Sequence, residues 1–297
     1  MKQAYIKLHI ALILAGFTGI FGKLITLNEG LISWYRLFIS FLIMLIFYTA
    51  KRSFPSTTTA DKLKIGFTGL LLGIHWLMFY GSIKYSNISV GVVCFALSSF
   101  FNAVFAPLVN KKRLSVQELL LSGITLCGIA LIFGMDVNYR TGIILGVISS
   151  MFSALYTLYS ERIVKQYESA TFMLYQMGGG CLGLTLLMPV FLIISPAKSL
   201  IPSGADLLWL LVLSAFCTVL MYFLINSALK KIPSFTVSLT FNLEPLYTIL
   251  LAVIIYNEAR VLSPAFYTGL ALIVSSLLFQ MYRLSRIRKA GAIIENA

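Results

Sequence analysis

The sequence predicts an all-α membrane protein of ten transmembrane helices arranged as two inverted-topology repeats of five. Three observations carry the prediction. Of 297 residues, 59% are hydrophobic and only 11% are charged, and mean hydropathy is +0.92, leaving too little polar surface to coat a water-soluble globule of this size. Apolar stretches fill the chain, each near the roughly 20 residues that a helix needs to cross about 30 Å of hydrocarbon. The second set of stretches echoes the first at a near-constant spacing.

The stretches are 6–26, 31–50, 63–84, 88–109, 114–134, 141–161, 169–194, 207–228, 235–256 and 264–282. Links as short as Leu27 to Gly30 and Tyr85 to Asn87 make neighbouring helices antiparallel, because backbone polar groups are not left unpaired in lipid. Met1-Lys2 leads into segment 1 with no Ala-x-Ala site after Gly16 or Gly22, so segment 1 is expected to be retained rather than cleaved. Segment 3 carries Gly69-x-x-x-Gly73, segment 6 Gly142-x-x-x-Gly146 and segment 7 Gly179-x-x-x-Gly183, patterns that let helix backbones approach closely. Gly178-Gly179-Gly180 weakens its helix by about 1 kcal/mol per residue relative to Ala, and so predicts a bend or hinge in segment 7. Pro107, Pro189 and Pro245 are further expected kink points, each lacking a helical donor.

Charge sets the expected orientation. With the N-terminus cytoplasmic, the inside connections hold 17 of the 23 Lys and Arg residues, among them Lys111-Lys112-Arg113 and Arg283 to Lys289. The outside connections hold only Lys84, Arg140, Lys198 and Arg260, while Lys23 and Arg36 lie within apolar segments. That bias is expected to place both termini on the cytoplasmic side. It also accounts for the formal net charge of +13 without nucleic acid, which is not an expected partner.

A shift of 146 residues lays Phe95-Ala96-Leu97 on Phe241-Asn242-Leu243, Lys112 on Glu258 and Gly123 on Gly269. Segments 1 and 2 match 6 and 7 at slightly smaller shifts, with Tyr35-Arg36 falling on Tyr175-Gln176. The halves are therefore 1–134 and 135–297, the second ending in a short basic tail. Five crossings per half is an odd number, so the halves enter the membrane from opposite sides, and the basic link of the first half becomes the nearly neutral Asn257-Glu258-Ala259-Arg260 of the second. Inverted repeats are the architecture of many secondary transporters, because two related halves give two similar states open to opposite sides.

Ionisable residues at membrane depth are functional candidates, since burying them there is costly. His75 and Glu244 fall near the midplane, Lys23 and Arg36 in the outer half. His75 sits among aromatics with Trp76 and Tyr80 on one helical face, a setting for binding a ring, donating to a carboxylate, carrying a proton, or simply bonding to a neighbouring helix. Glu244, in Asn242-Leu243-Glu244-Pro245, is a candidate coupling group or an ion-pair partner for Lys23 or Arg36. Arg36 can grip a carboxylate with two bonds, although both cations lie close enough to the outer interface to snorkel. Asn102, Tyr156, Tyr175, Gln176, Tyr222 and Asn242 complete the expected substrate-binding set; the alternative for each is a helix-to-helix hydrogen bond. His9 is read as interfacial, and Glu118 and Glu258 as surface or lock residues.

No catalytic motif or nucleotide-binding loop is present, and the two His and four singly placed Cys residues give no metal site or disulfide framework. The expected protein is not an enzyme and needs no cofactor. Uphill movement would draw on protons, ions or a counter-substrate.

In its motifs the chain resembles the drug/metabolite transporter superfamily, specifically the EamA-type permeases. These are Ala15-Gly16-Phe17 ahead of Lys23, Arg36, Lys84-Tyr85-Ser86, Ala154-Leu155-Tyr156-Thr157, and Asn242-Leu243-Glu244-Pro245 running to Asn257-Glu258. In that family an acidic residue often ends the fourth helix of each half; here Glu258 keeps it and Lys112 replaces it. The resemblance implies an exporter of amino acids or related small metabolites with a central cavity, working as a monomer or weak homodimer among membrane lipids. An uncoupled channel-like facilitator or a membrane-embedded sensor is the alternative.

Overall fold

The computed structural model describes residues 2–52, 54–110, 139–241 and 243–256, with isolated positions between 120 and 131 and most positions between 264 and 282. Among the described residues the regular structure is helical, and seven helical runs are long and apolar enough to cross a membrane. Segment 5 falls mostly outside the described residues, as do Lys112, Glu118, Asn242, Asn257 and Glu258, while segment 10 is described in part, as helix.

In chain order the helices are α1 Lys2–Gly16, α2 Thr18–Leu24, α3 Glu29–Lys51, α4 Thr59–Tyr85, α5 Ile88–Phe95, α6 Ser98–Asn110, α7 Arg140–Ile163, α8 Ser169–Ile194, α9 Gly204–Ser214, α10 Met221–Leu229, α11 Ser234–Phe241 and α12 Glu244–Tyr256. Their starts follow local chemistry. Asn28, Thr58, Asn87 and Ser203 each accept a hydrogen bond from the backbone N–H three residues on, at Leu31, Asp61, Val90 and Asp206. Capping of this kind satisfies a donor that the first helical turn leaves unpaired. Such a cap lets a helix begin at the membrane boundary.

Several crossings are not simple rods. α9 and α10 are joined through a π-helical turn at Ala215–Leu220, where the Thr218 hydroxyl donates to the Leu213 carbonyl five residues back. α5 and α6 are separated at Ala96–Leu97, and α12 begins at Glu244, directly after a turn at Leu243. The two interruptions lie 146 residues apart, and α11 and α12 begin where that shift carries the starts of α5 and α6. The local bonding repeats as well: Leu97 N–H donates to Cys94 O at 3.0 Å and Leu243 N–H to Thr240 O at 3.1 Å. α5 packs on α12 and α6 on α11, so the two interrupted rods cross antiparallel.

Other contacts follow the same pairing. α4 packs on α7 and α8, while the α9–α10 rod packs on the α1–α2 rod and on α3. At one end of the bundle Thr26 meets Asp206, Asn28 meets Ser195, Lys84 meets Ile25, and the start of α7 lies against Ser86. At the other end Glu161 accepts from Asn110 and Ser234, and Tyr175 donates to Pro55. Consequently α1–α2 runs toward the first end, while α7 starts there.

Gly178–Gly180, the expected bend or hinge, is accommodated within a helix that runs without interruption from Ser169 to Ile194. The physical reason is close packing. A Cβ on Gly179 would collide with Gly66 Cα, and one on Gly180 would come within 2.6 Å of Gly69 O. The helix tolerates three poor helix formers because their missing side chains let α8 lie backbone to backbone on α4. Pro107 and Pro189 likewise sit inside continuous helices.

Candidate functional site

The π-turn, the interrupted α11–α12 rod and the inner faces of α1–α2, α3, α4 and α5 converge on one point. There a small cavity, with about 30 Å³ open to water centres, is lined by Thr18, Arg36, His75, Trp76, Phe79, Phe95, Met221, Tyr222, Phe241 and Glu244, closed by Ala15. That room suits a water or two. Ligand pockets are on the order of 300–1,000 Å³, so the centre as it stands is too small for a cargo.

Arg36 is its most constrained member. The side chain is 0% exposed; Nε donates to Thr218 Oγ1 at 2.7 Å, Nη1 to Tyr80 Oη at 2.9 Å and Nη2 to the Cys217 carbonyl at 2.6 Å. Its Cζ lies 3.7 Å above the Trp76 ring. Hydrogen bonds to a charged group are worth about 1.5–3 kcal/mol each, and a desolvated cation over an indole adds about 2 kcal/mol. All these partners are neutral, so the grip fixes the guanidinium in place without cancelling its charge. The snorkelling alternative is thereby corrected: counting along α3 gives depth but not direction, and Arg36 turns inward.

Glu244, 5% exposed, begins α12 directly after the interruption and faces the same cavity. Among the described residues no ion pair closes between it and Arg36. His75 is held by α7: Nδ1 lies 2.8 Å from Ser149 Oγ and 3.1 Å from Ser149 O, and the Ser149 hydroxyl also reaches the His75 carbonyl at 3.0 Å. Its ring packs against Phe79 and Phe95. His75 thus bonds to a neighbouring helix, the alternative given for it, while its ring also lines the cavity.

Trp76 Nε1 donates to Tyr222 Oη at 3.3 Å, and these two residues are 146 apart, counterparts under the repeat shift that touch each other. The Tyr222 ring also packs on Tyr156, whose hydroxyl reaches Asn226 Oδ1 at 3.5 Å. Gln176 Nε2 donates to Thr68 between α8 and α4, and Asn102 Nδ2 to Ser238 between α6 and α11.

Not every expected residue joins the centre. Tyr175 lies in an apolar groove on the outside of α3, α4 and α8, beside Lys62. Lys23 is exposed and does not line the cavity of Glu244, because Gly19 and Gly22 take the inward face of α2 against Ile88 and Tyr80. Asn242 is outside the described residues. Sequence reasoning missed Thr18, Ser149, Thr218, Phe95 and Phe241. The repeat shift, which pairs Phe95 with Phe241 and Trp76 with Tyr222, was the available signal for the aromatic members; nothing local marks Ser149 or Thr218.

A many-crossing helical protein with Arg36 and Glu244 buried at its centre belongs to the class of membrane proteins with a functional polar site at depth. Comparison with known proteins narrows it. The EamA-like transporter family matches residues 2–134 and again 140–282, and the chain belongs to that family, within the drug/metabolite transporter superfamily. It is 27% identical over 254 residues to an uncharacterized transporter of Haemophilus influenzae, covering 80% of this chain and 78% of that protein. It is 24% identical over 182 residues to GDP-fucose transporter 1 of Dictyostelium discoideum, spanning 57% of this chain but 48% of the relative. A solved crystal structure superposes with a TM-score of 0.67 at 16% identity, covering 97% of this chain and 99% of the other, a likeness of fold alone.

Proposed function

We propose that this protein is a secondary active transporter working by alternating access between two inverted halves, 1–134 and 135–297. It exports amino acids or related small amphipathic metabolites across the cytoplasmic membrane, with both termini inside. The observation that carries the reading is the buried centre in which Arg36, Glu244 and His75 share one aromatic-walled cavity. A fixed cation and a carboxyl facing one small space suit a cargo that carries both signs of charge, and Trp76, Phe79, Phe95 and Phe241 suit its apolar part. A duplicated, inverted architecture favours a carrier over a channel, because two related halves give two similar states open to opposite sides. The antiparallel crossing of the interrupted rods and the opposed directions of α1–α2 and α7 support the inverted arrangement. Glu244, beside a helix interruption at membrane depth, is the proton-coupling group.

The test is counterflow in proteoliposomes loaded with candidate amino acids, with and without a pH gradient. The expected result is saturable exchange of at least one, abolished in Arg36→Met and stripped of its pH dependence in Glu244→Gln but not in His75→Ala. Lack of exchange by folded wild-type protein across the panel would remove the amino-acid cargo, and flux that never saturates would favour a facilitator.

A further inference from the structure

On the far side of the Trp76–Tyr222 contact lies a second polar cluster that the central cavity does not include. Tyr156, Ser160, Gln176 and Asn226 come from α7, α8 and α10, and Ser160, Gln176 and Asn226 are each 0% exposed. The Tyr156 hydroxyl lies within interacting distance of Gln176 and Ser160, but its one proton is spent on Asn226, so it does not also satisfy the Gln176 carbonyl oxygen. Three atoms here are buried and unsatisfied: Ser160 Oγ, Gln176 Oε1 and Asn226 Nδ2. Each amide spends one end on the protein, Gln176 on Thr68 and Asn226 on Tyr156, and leaves the other end idle. If either amide were turned over, one idle donor or acceptor would remain on each.

Buried polar groups are nearly always paired, so a cluster holding three idle ones needs a reason. The repeat supplies one. Under the sequence correspondence, Gln176 is the counterpart of Arg36 and Asn226 the counterpart of Tyr80, while Tyr222 is the counterpart of Trp76. The cluster is thus the second half's version of the Arg36–Tyr80 grip, with the charge removed and the hydrogen-bonding capacity kept. The two versions meet where Trp76 touches Tyr222.

We propose that Tyr156, Ser160, Gln176 and Asn226 form a second subsite on the cargo route, one that takes an uncharged group able both to donate and to accept hydrogen bonds, such as a carboxamide. The proposal rests on the carrier reading above and adds to it the nature of the cargo's far end. When the aromatic contact parts, a cargo with its charged end at Arg36 presents its neutral polar end to the idle amides.

Two measurements test this. The first is thermal melting of Asn226→Leu and Gln176→Leu, shape-matched changes that delete the amide. Each variant gives up, besides the idle end, only the one bond to Thr68 or from Tyr156, so each is expected to melt no more than about 5 °C below wild type. A drop of more than about 5 °C in both would make the amides structural and overturn the proposal. The second is counterflow of L-asparagine against L-leucine, which match in shape and differ in hydrogen bonding. Wild type is expected to favour asparagine by about tenfold or more, and both variants to bring the ratio of the two rates, measured in the same sample, near one. Equal exchange by wild type, or an unchanged ratio in the variants, sinks the subsite and leaves the carrier standing. Exchange of neither probe by folded wild type sinks the amino-acid reading and the subsite with it.

Discussion

Replacing Gly69 with Ala tests whether backbone contact between α4 and α8 holds the bundle together. A Cβ at this position falls on the Gln176 carbonyl oxygen and 2.8 Å from the Gly180 backbone nitrogen. Neither neighbour is the end of a flexible side chain, so the helices themselves must separate, by roughly 1.5–2 Å to restore ordinary contact near 3.5 Å with that oxygen. A gap of that size forfeits more than about half of the dispersion energy across the seam, and overpacking of this kind costs about 1–3 kcal/mol, at times more. Ala is the better helix former by about 1 kcal/mol, which offsets part of the loss. The net expectation is a destabilisation of roughly 1–3 kcal/mol, or about 3–10 °C in Tm. Thermal melting in detergent, followed by tryptophan fluorescence, measures it. Gly204→Ala is the control, because a Cβ there meets nothing within 4 Å. Equal melting temperatures for the two variants would refute the close-packing account of the glycines.

Tyr80→Phe removes the acceptor for Arg36 Nη1, so melting should fall by an amount corresponding to about 1.5–3 kcal/mol; an unchanged Tm would mean that the guanidinium readily finds another partner. Asp206→Ala breaks the fastening to Thr26, whose N–H and hydroxyl both reach the carboxylate at 2.7 Å. In a background without native cysteines, maleimide labelling of Thr18→Cys from the Thr26 side should then quicken about tenfold, and no change would show that this end is held shut elsewhere.

Hydropathy located the spans closely because desolvation dominates helix placement in lipid. The stretch 169–194 coincides with α8, and 31–50 lies within α3 by one or two residues at each end. The stretch 63–84 began four residues late because Asp61, Lys62 and Lys64 are charged, yet the Thr58 cap starts α4 at Thr59. Hydropathy was blind to defects in the backbone ladder. The π-turn at Ala215–Leu220 contains no Gly or Pro, and the interruption at Ala96–Leu97 was visible only as the shadow of Asn242-Leu243-Glu244-Pro245 under the repeat shift. Depth could be counted for Arg36, Lys23 and Tyr175, but azimuth could not. Arg36 turned inward, whereas Lys23 and Tyr175 lie away from the cavity, because close-fitting glycines on their own or neighbouring helices decide which side faces the neighbour.

The matched interruptions impose a rule on sequence change. Each residue added to a helix rotates everything beyond it by about 100° and advances it by about 1.5 Å. One inserted residue between Ser234 and Phe241 would therefore swing Glu244 out of the cavity and slide one gap off the other. Side chains along these rods are free to diverge, as Ala96 opposite Asn242 and Ser98 opposite Glu244 already have. Length is not free: an indel in one copy would be tolerated only if the other copy acquired the same one. The metre of the two copies is thus held more tightly than their wording.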